Sequence, residues 1–543
     1  MVIVAVLSTG PLLETGLNDD WAFAFIARGF ARTGHIAYNG WAAPLLGLQV
    51  LWGGLLVRLF GFSFTLLRLS TLPFAAGSAA LLYSLGRRTG LNHSLATFAA
   101  LAVTLSPVFT PLAASYMSDV PAFFFWIACF YCALRAADAR NTSRSALWLA
   151  GVASTGFAGG TIRQVVWAAP LVVLPSIAWL CRRRRLLIPT AAVLWCATAL
   201  ATVACVRWYQ AQPHTIPTDV QPWIDTLRGL PEPIRIMVLA CLLAVLPVLL
   251  LYFAQWKRWL RAPLIPVLAA FAAGAFVAAC VWYFEDDLLL GNMVTAYGIM
   301  WENSEALGAK PVILGPQILF ALAAVLSLAA GLTTAWLADA WRRRAEWMST
   351  AAPLGRFLFL TAPSCALYVA AVAFRYTNDE LLFDRYLILV TPVVVIPLLW
   401  LYQARVRSTP TPLACAVLAL FSIYGVANAH DYIAAARARL EAASRVLASG
   451  VPRTRVSAGL EFDGWTQLET AGRIPSREER QRAARTYPIP DPFWFWRMTP
   501  ALDPLYFMVY SPVPGLRDSR FPAIVYQTWL PPFHRRVLTQ TLP

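Results

Sequence analysis

The chain is 543 residues long, 59% hydrophobic and only 13% charged, with a mean hydropathy of +0.58. A globular protein carries about 25% charged residues, so a soluble protein is excluded and an integral membrane protein is implied. The net charge of +16 would suggest nucleic acid in a soluble chain. Here the basic residues stand in short runs between apolar segments, the pattern that sets membrane topology, and no nucleic-acid partner is expected.

Apolar runs long enough to cross a bilayer predict thirteen spans, near 1–17, 64–85, 94–112, 121–137, 145–160, 164–180, 187–207, 236–254, 263–284, 312–337, 355–374, 386–402 and 411–429. The first is short, since Met1 to Leu17 at about 1.5 Å per residue barely crosses a ~30 Å core. It shows no secretory signal peptide, and a start further upstream is left open. Asn18, Asp19 and Asp20 then open "WAFAFIARGFARTGHIAYNG", which reads as an amphipathic helix lying on the membrane. Asn18 at the cap with acids in the first turn would complement the helix dipole. A catalytic role for the two acids is the other reading, and both stay open on the residues alone.

The apolar segment 42–60 decides the topology. Lying along the surface, it leaves 18–62 as one outer loop and puts every basic cluster on one face: Arg87/Arg88, Arg135/Arg140/Arg144, Arg182 to Arg185, Lys257/Arg258/Arg261, Arg342 to Arg344 and Arg405/Arg407. The positive-inside rule makes that face cytoplasmic. Asp19/Asp20, Asp119, "FEDD" at Phe284 to Asp287 and "NDELLFDR" at Asn378 to Arg385 then share the opposite face. If 42–60 crossed, Asp19 and Asp20 would leave the face of Asp119.

A lone carboxylate between apolar runs is costly away from a water boundary. Asp119, before Val120 and Pro121, reads as a helix-start residue or as part of a site. Arg163, in "GFAGGTIRQVVW", sits where two short spans meet and needs an anion, either Asp119 or a ligand phosphate. Arg385, in "FDRYLILVTP", and Arg375, at the end of the preceding span, read as headgroup anchors or as phosphate ligands. His35 and His214 are lone histidines that read mainly as structural. With Tyr38 and Asn39 they complete the set of candidate substrate contacts.

The nine cysteines fall in or beside apolar segments, so no disulfide framework is expected. Cys129 and Cys132 form a CxxC inside a predicted span, without a partner pair. The carboxylate run Glu285 to Asp287 lacks histidines at ligand spacing, so no metal is assigned. No Walker, HExxH, GxSxG or Rossmann pattern is present, and no cofactor is expected. From Ile433 the spans stop. A helical stretch, "AAARARLEAASRVL", and the strand-like runs "TRVSAGLEF", "LYFMVYS" and "AIVYQTWL" predict a small outer α/β domain over 433–543, after a membrane domain over 1–432.

The order of these features is a short first span, an acid pair, a juxtamembrane helix, a paired-arginine turn, then "SPVFTPLAASYMSDVPAFFF", "GFAGGTIRQ" and a late "FDRYLILVTP". Over roughly residues 1–430 it resembles the membrane-embedded type C glycosyltransferases (GT-C), a family that includes protein O-mannosyltransferases, the lipid A aminoarabinose transferase and galacturonosyl transferases of the lipopolysaccharide core. The resemblance implies an all-α polytopic GT-C fold of about 13 transmembrane helices with outer juxtamembrane helices. It also implies inverting transfer of a sugar from a polyprenyl-phosphate donor to a cell-envelope acceptor, on the extracytoplasmic face of the plasma (inner) membrane. By the same resemblance Asp19 is the general base, Asp20 stands for the usual neighbouring acid and Asp119 is the second acid of the site. Arg163, where many relatives have Lys, contacts the donor phosphate, and Arg385 with Tyr386 holds the lipid phosphate. Relatives often carry a further acid or His before the Pro that follows the juxtamembrane region. "YNGWAAP" has neither, so no metal is expected.

The residues suit that chemistry independently. A lipid-phosphate sugar is already activated, and the enzyme needs a base for the acceptor hydroxyl and cations for the departing phosphate. The rival reading is a transporter or flippase for a lipid-linked sugar. It would want charges at mid-membrane and broken helices in both halves, whereas the charges here cluster at one face. No internal repeat points that way.

Overall fold

The computed structural model describes residues 1–216, 229–255, 264–282, 289, 291–347, 350–376, 382–482, 489 and 493–543. Among them, seven helices are long and apolar enough to cross a membrane: Phe64–Arg88, Asp119–Asp138, Leu187–Gln210, Leu264–Trp282, Pro316–Arg342, Ala352–Arg375 and Pro412–Ala448. Pro231–Ala244 and Leu246–Phe253, bent by 66° at their junction, make an eighth if taken as one span. The protein is a multi-pass membrane protein.

The other predicted spans are helical but shorter, less apolar or broken. Residues 94–112 fold as His93–Thr104 and Phe109–Ala113, and 145–160 lies inside Thr142–Ile162. Residues 164–180 form a 3-10 turn, Gln164–Trp167, leading into Ala168–Leu180, and 386–402 divides between Asp384–Leu389 and Thr391–Arg405. The first span differs most. Only Val2–Ser8 is helical (α1), about 10 Å of helix. Gly10, at φ +69°, ends it in a left-handed turn and Pro11 prevents its resumption.

Contacts show which helix ends lie together, with the 20-residue helix Asp119–Asp138 as a ruler about 30 Å long. At its far end Asp138 pairs with Arg88 at 3.0 Å and with Arg356 at 2.7 Å. Nearby, Arg184 donates to the Ala139 carbonyl at 2.5 Å, and Asn92 donates to the Ser408 carbonyl at 2.5 Å. Arg405 pairs with Asp339 at 3.8 Å. The described basic clusters therefore share one end of the bundle. Asp119, at the helix start, pairs with Arg163 at the opposite end. Lys257, Arg258, Arg261, the run Phe284 to Asp287 and Asn378 to Leu381 lie outside the described residues.

Segment 42–60 stays at the Asp119 end. Its helix Gly47–Phe60 (α3), like Asp20–Thr33 (α2), has 14 residues and is about 21 Å long, too short for a ~30 Å core. Leu46 N–H bonds the Ile162 carbonyl at 3.2 Å where α3 begins. Gln49 Nε2 donates to the Tyr116 carbonyl at 2.8 Å, and Tyr116 Oη donates back to the Gln49 carbonyl at 2.7 Å. Beyond its end, Ser63 and the Phe64 N–H bond Glu14 at 2.7 and 2.9 Å. Both helices lie across the top of the bundle, and Gly54 lets α3 approach the Phe30 ring of α2 where a Cβ would collide.

Asp20 turns inward from α2. It pairs with Arg68 at 3.4 Å, both side chains fully buried, and accepts the Leu17 and Tyr116 N–H groups at 2.6 and 3.2 Å. Burial raises the Asp20 carboxyl above its usual range, with the Arg68 charge opposing. Arg68 also donates to the carbonyls of Leu13 and Thr15, so this pair fastens the irregular segment after α1. Asp20→Asn, which strands a buried guanidinium, is expected to cost about 3–5 kcal/mol, read as a lower unfolding midpoint in detergent.

The Pro412–Ala448 helix runs unbroken through 432 for 37 residues. Its upper half presents Ala435, Ala438, Ala442, Ala443 and Val446 to a sheet of five strands: β1 (Val456–Ser457), β2 (Tyr506–Val509), β3 (Arg517–Asp518), β4 (Ile524–Gln527) and β5 (His534–Thr541). β5 pairs antiparallel with β2, β3 and β4, and β1 pairs parallel with β2. β1, β2 and β4 fall inside the three predicted runs. The end of "TRVSAGLEF" turns instead into the helix Leu460–Ala471 after Gly459 at φ +101°, and β5 was not predicted. Trp465 of that helix packs on Phe25, Phe62 and Phe64 with centroids 4.9–5.6 Å apart, seating the tail on α2 and the loop after α3.

Candidate active site

A cavity of about 460 Å³ opens at the Asp119 end, between α2, the helix starts and the tail. Asp19 lines it from the N-cap position of α2 and makes no capping bond of its own. The predicted cap, Asn18, is not the cap. It sits at φ +56°, a left-handed conformation Asn tolerates better than most residues. Its N–H is held by Tyr432 Oη at 3.0 Å and by Glu461 Oε1 at 3.3 Å, and Tyr432 donates to Glu461 at 2.8 Å. Arg439 completes this buried group at 3.3 Å from Glu461. The tail thus fixes the backbone beside Asp19, which aims its carboxylate into the cavity instead of at the helix.

Each Asp19 oxygen has a donor. Trp41 Nε1 donates to Oδ1 at 3.0 Å and Arg385 Nη2 to Oδ2 at 3.3 Å, with the side chain 20% exposed toward the cavity. Asp119 is fully buried behind it, bonded through Oδ1 to Arg163 Nη1, while its Oδ2 has no hydrogen-bond partner among the described residues. Arg163 and Arg385 lie on the Tyr386 ring, 5.6 and 5.7 Å from its centroid. Burial disfavours the Arg385 charge, yet Asp119 and Asp19 outweigh it and hold the guanidinium above its ordinary pKa. Its Nε and Nη1 hydrogens have no acceptor among the described residues. One carboxylate and two guanidiniums therefore meet at the cavity, with Asp119 buried behind Arg163 and donor capacity to spare.

Arg375 and Tyr386 also line the cavity. Asp20 does not: it belongs to the buried Arg68 pair. Tyr38 is buried, donating to the Leu45 carbonyl at 2.6 Å and packed edge-on to Tyr209. Asn39 ties the turn, donating to the Ala22 carbonyl at 2.9 Å and accepting the Trp41 N–H at 3.1 Å. His35 and His214 are exposed on loops away from the cavity wall. These four support the loop or its surface and are not brought to the site. Among the described residues no group of three His, Cys, Asp or Glu could hold a metal ion.

Several lining residues went unread in the sequence. Trp41 stacks between Trp21 and Trp494 of the tail, with centroids 5.8 and 6.2 Å apart. The Trp in "YNGWAAP" and the aromatic run at 493–496 were the available signals. Asn292, Met300, Trp301 and Ser304 come from a loop without a motif. Asp384 clamps that loop by accepting the Met293 and Val294 N–H groups at 3.1 and 2.8 Å, and burial pushes its carboxyl up to about 7.

No family model matches the sequence, and no curated protein matches it. Among solved structures, the crystal structure of ArnT from Cupriavidus metallidurans bound to undecaprenyl phosphate is similar with a TM-score of 0.40 at 13% identity, covering 99% of this chain and 97% of that one. Its apo form gives 0.38 at 14% identity, over 99% and 96%. The cryo-EM structure of the arabinosyltransferase EmbB from Mycobacterium smegmatis gives 0.36 at 17% identity, over 68% of this chain and 41% of that chain.

Proposed function

We propose that the protein is an inverting glycosyltransferase that moves a sugar from a polyprenyl-phosphate donor to a hydroxyl-bearing acceptor of the cell envelope. The observation that carries this reading is a partly exposed carboxylate, Asp19, facing the same cavity as two guanidiniums, one of which keeps two N–H groups without acceptors among the described residues. Asp19 takes the acceptor hydroxyl proton as its oxygen attacks the anomeric carbon. The bond from that carbon to the phosphate oxygen breaks, its electron pair leaves with the polyprenyl phosphate, and Arg163 and Arg385 stabilise the charge that develops. Asp119 serves by holding Arg163. A single displacement inverts the anomeric centre, and residues 433–543 roof the reaction.

The positive-inside rule assigns the basic end to the cytoplasm and the cavity to the extracytoplasmic face of the plasma membrane. In a cysteine-free background, His35→Cys is expected to label from outside only and Arg183→Cys from inside only. Labelling of both from one side would undo this orientation. The function itself is tested by incubating purified protein in vesicles with polyprenyl-phosphate sugars and an envelope extract. Transfer of label from the donor, with release of polyprenyl phosphate, supports it. Movement of intact donor across the bilayer without cleavage would favour the flippase reading.

A further inference from the structure

A second cavity, of about 150 Å³, lies between the β5 end of the tail and the loop at 297–313. It shares no lining residue with the catalytic cavity, and the proposed reaction does not use it. Charges face it in pairs with one left over. Lys310 meets Glu305 at 2.8 Å and Arg535 meets Asp431 at 3.8 Å. Arg536, exposed at the rim, makes no ion pair among the described residues, and His534 stands beside it. The Arg535 side chain is 9% exposed, and its Nε hydrogen has no acceptor among the described residues. A buried guanidinium with a free donor, a surplus cation and the hydroxyls of Tyr297 and Tyr526 form a cradle for one anionic group.

The position of the cavity says where that anion comes from. The Pro412–Ala448 helix exposes Leu413, Leu420 and Ile423 along its apolar half. From Pro412 to His430 it rises about 27 Å, so His430 and Asp431 stand where a ~30 Å core ends. The turn between β4 and β5 is fastened at that level. Trp529 and Leu530 donate their N–H groups to Asp431 at 2.7 and 3.0 Å, and Trp529 stacks on His430 at 4.2 Å. The turn leaves Trp529 50% and Phe533 58% exposed, an aromatic tip at interfacial depth followed directly by His534, Arg535 and Arg536.

We infer that this hairpin dips its aromatic tip into the leaflet on the catalytic side and that the adjoining cavity binds the phosphate of an anionic membrane lipid. The aromatics set the depth, and the arginines take the headgroup as it reaches the surface.

The protein is reconstituted in nanodiscs of phosphatidylcholine with and without phosphatidylglycerol, and retained lipid is read by native mass spectrometry. Phosphatidylglycerol is expected to be kept in preference. Arg535→Gln and Arg536→Gln are each expected to weaken its retention about fivefold, the effect of one basic residue at an anionic surface. Arg536 is exposed, so Arg536→Gln carries the test if Arg535→Gln does not fold. Arg385→Gln, in the catalytic cavity, should leave this retention unchanged, so the result stands or falls apart from the transferase reading. Equal retention of the two lipids, or no loss in Arg536→Gln, overturns the site. Displacement by inorganic phosphate overturns the lipid as its source. A spin label at Phe533→Cys should collide with oxygen more than with a nickel chelate, and the reverse overturns immersion of the tip.

Discussion

Asp19→Asn is expected to lower the transfer rate by ~10²–10⁴-fold, the contribution of a positioned general base, with the unfolding midpoint in detergent unchanged. The asparagine keeps the volume and one acceptor oxygen, so Trp41 or Arg385 retains a partner, but it cannot take a proton from the acceptor. Arg385 keeps the Asp119 charge beside it, so the replacement leaves no unpaired buried charge of the kind the Asp20 variant does. The two neighbours should therefore separate cleanly. Asn at Asp19 leaves a folded, inactive protein, and Asn at Asp20 leaves an unstable one that transfers at a near-normal rate while folded. Wild-type turnover in Asp19→Asn would remove the base from this mechanism, since no other Asp or Glu lines the cavity among the described residues.

That separation was not visible in the sequence. Two adjacent acids at a helix start look alike, and the resemblance gave both to the site. What distinguishes them is a buried arginine 48 positions away in sequence, which takes Asp20 inward. The rest of the charge pattern was legible because membrane topology is written locally, in which loops carry arginine. The common end of Arg88, Arg184 and Arg405 and the shared face of Asp19, Asp119, Arg163 and Arg385 follow from that rule once 42–60 stays on the surface, a course that its length and turns favour and the charge rule alone does not require. Glu461, which holds the backbone beside Asp19, and the loop carrying Trp301 were not legible, because tertiary contacts that no period or motif records place them. The predicted boundary at 432 marks where apolarity ends, although the helix continues for another four turns because alanines facing the sheet replace lipid-facing leucines. β5 was hidden for a related reason. Its first half pairs with β4 and its second half with β2, but "HRRVLTQT" alternates too weakly to announce a strand.

Arg385→Gln should weaken the donor by about 10–100-fold, since a hydrogen bond to a charged partner is worth roughly 1.5–3 kcal/mol. Arg385 also pairs with Asp19, at 3.3 Å. The guanidinium also holds the Asp19 carboxylate in place through that bond, so its loss should lower kcat as well as raise donor KM. Arg385→Lys divides the two effects. The ammonium restores a charged donor beside Asp19 and returns kcat toward its wild-type value, but it lacks the planar fork, and donor KM stays raised. If Lys restored both, Arg385 would act as a point charge and its unpartnered N–H groups would have no part in holding phosphate. If Gln left donor KM untouched while lowering kcat, the arginine would serve Asp19 alone, and Arg163 would carry the phosphate.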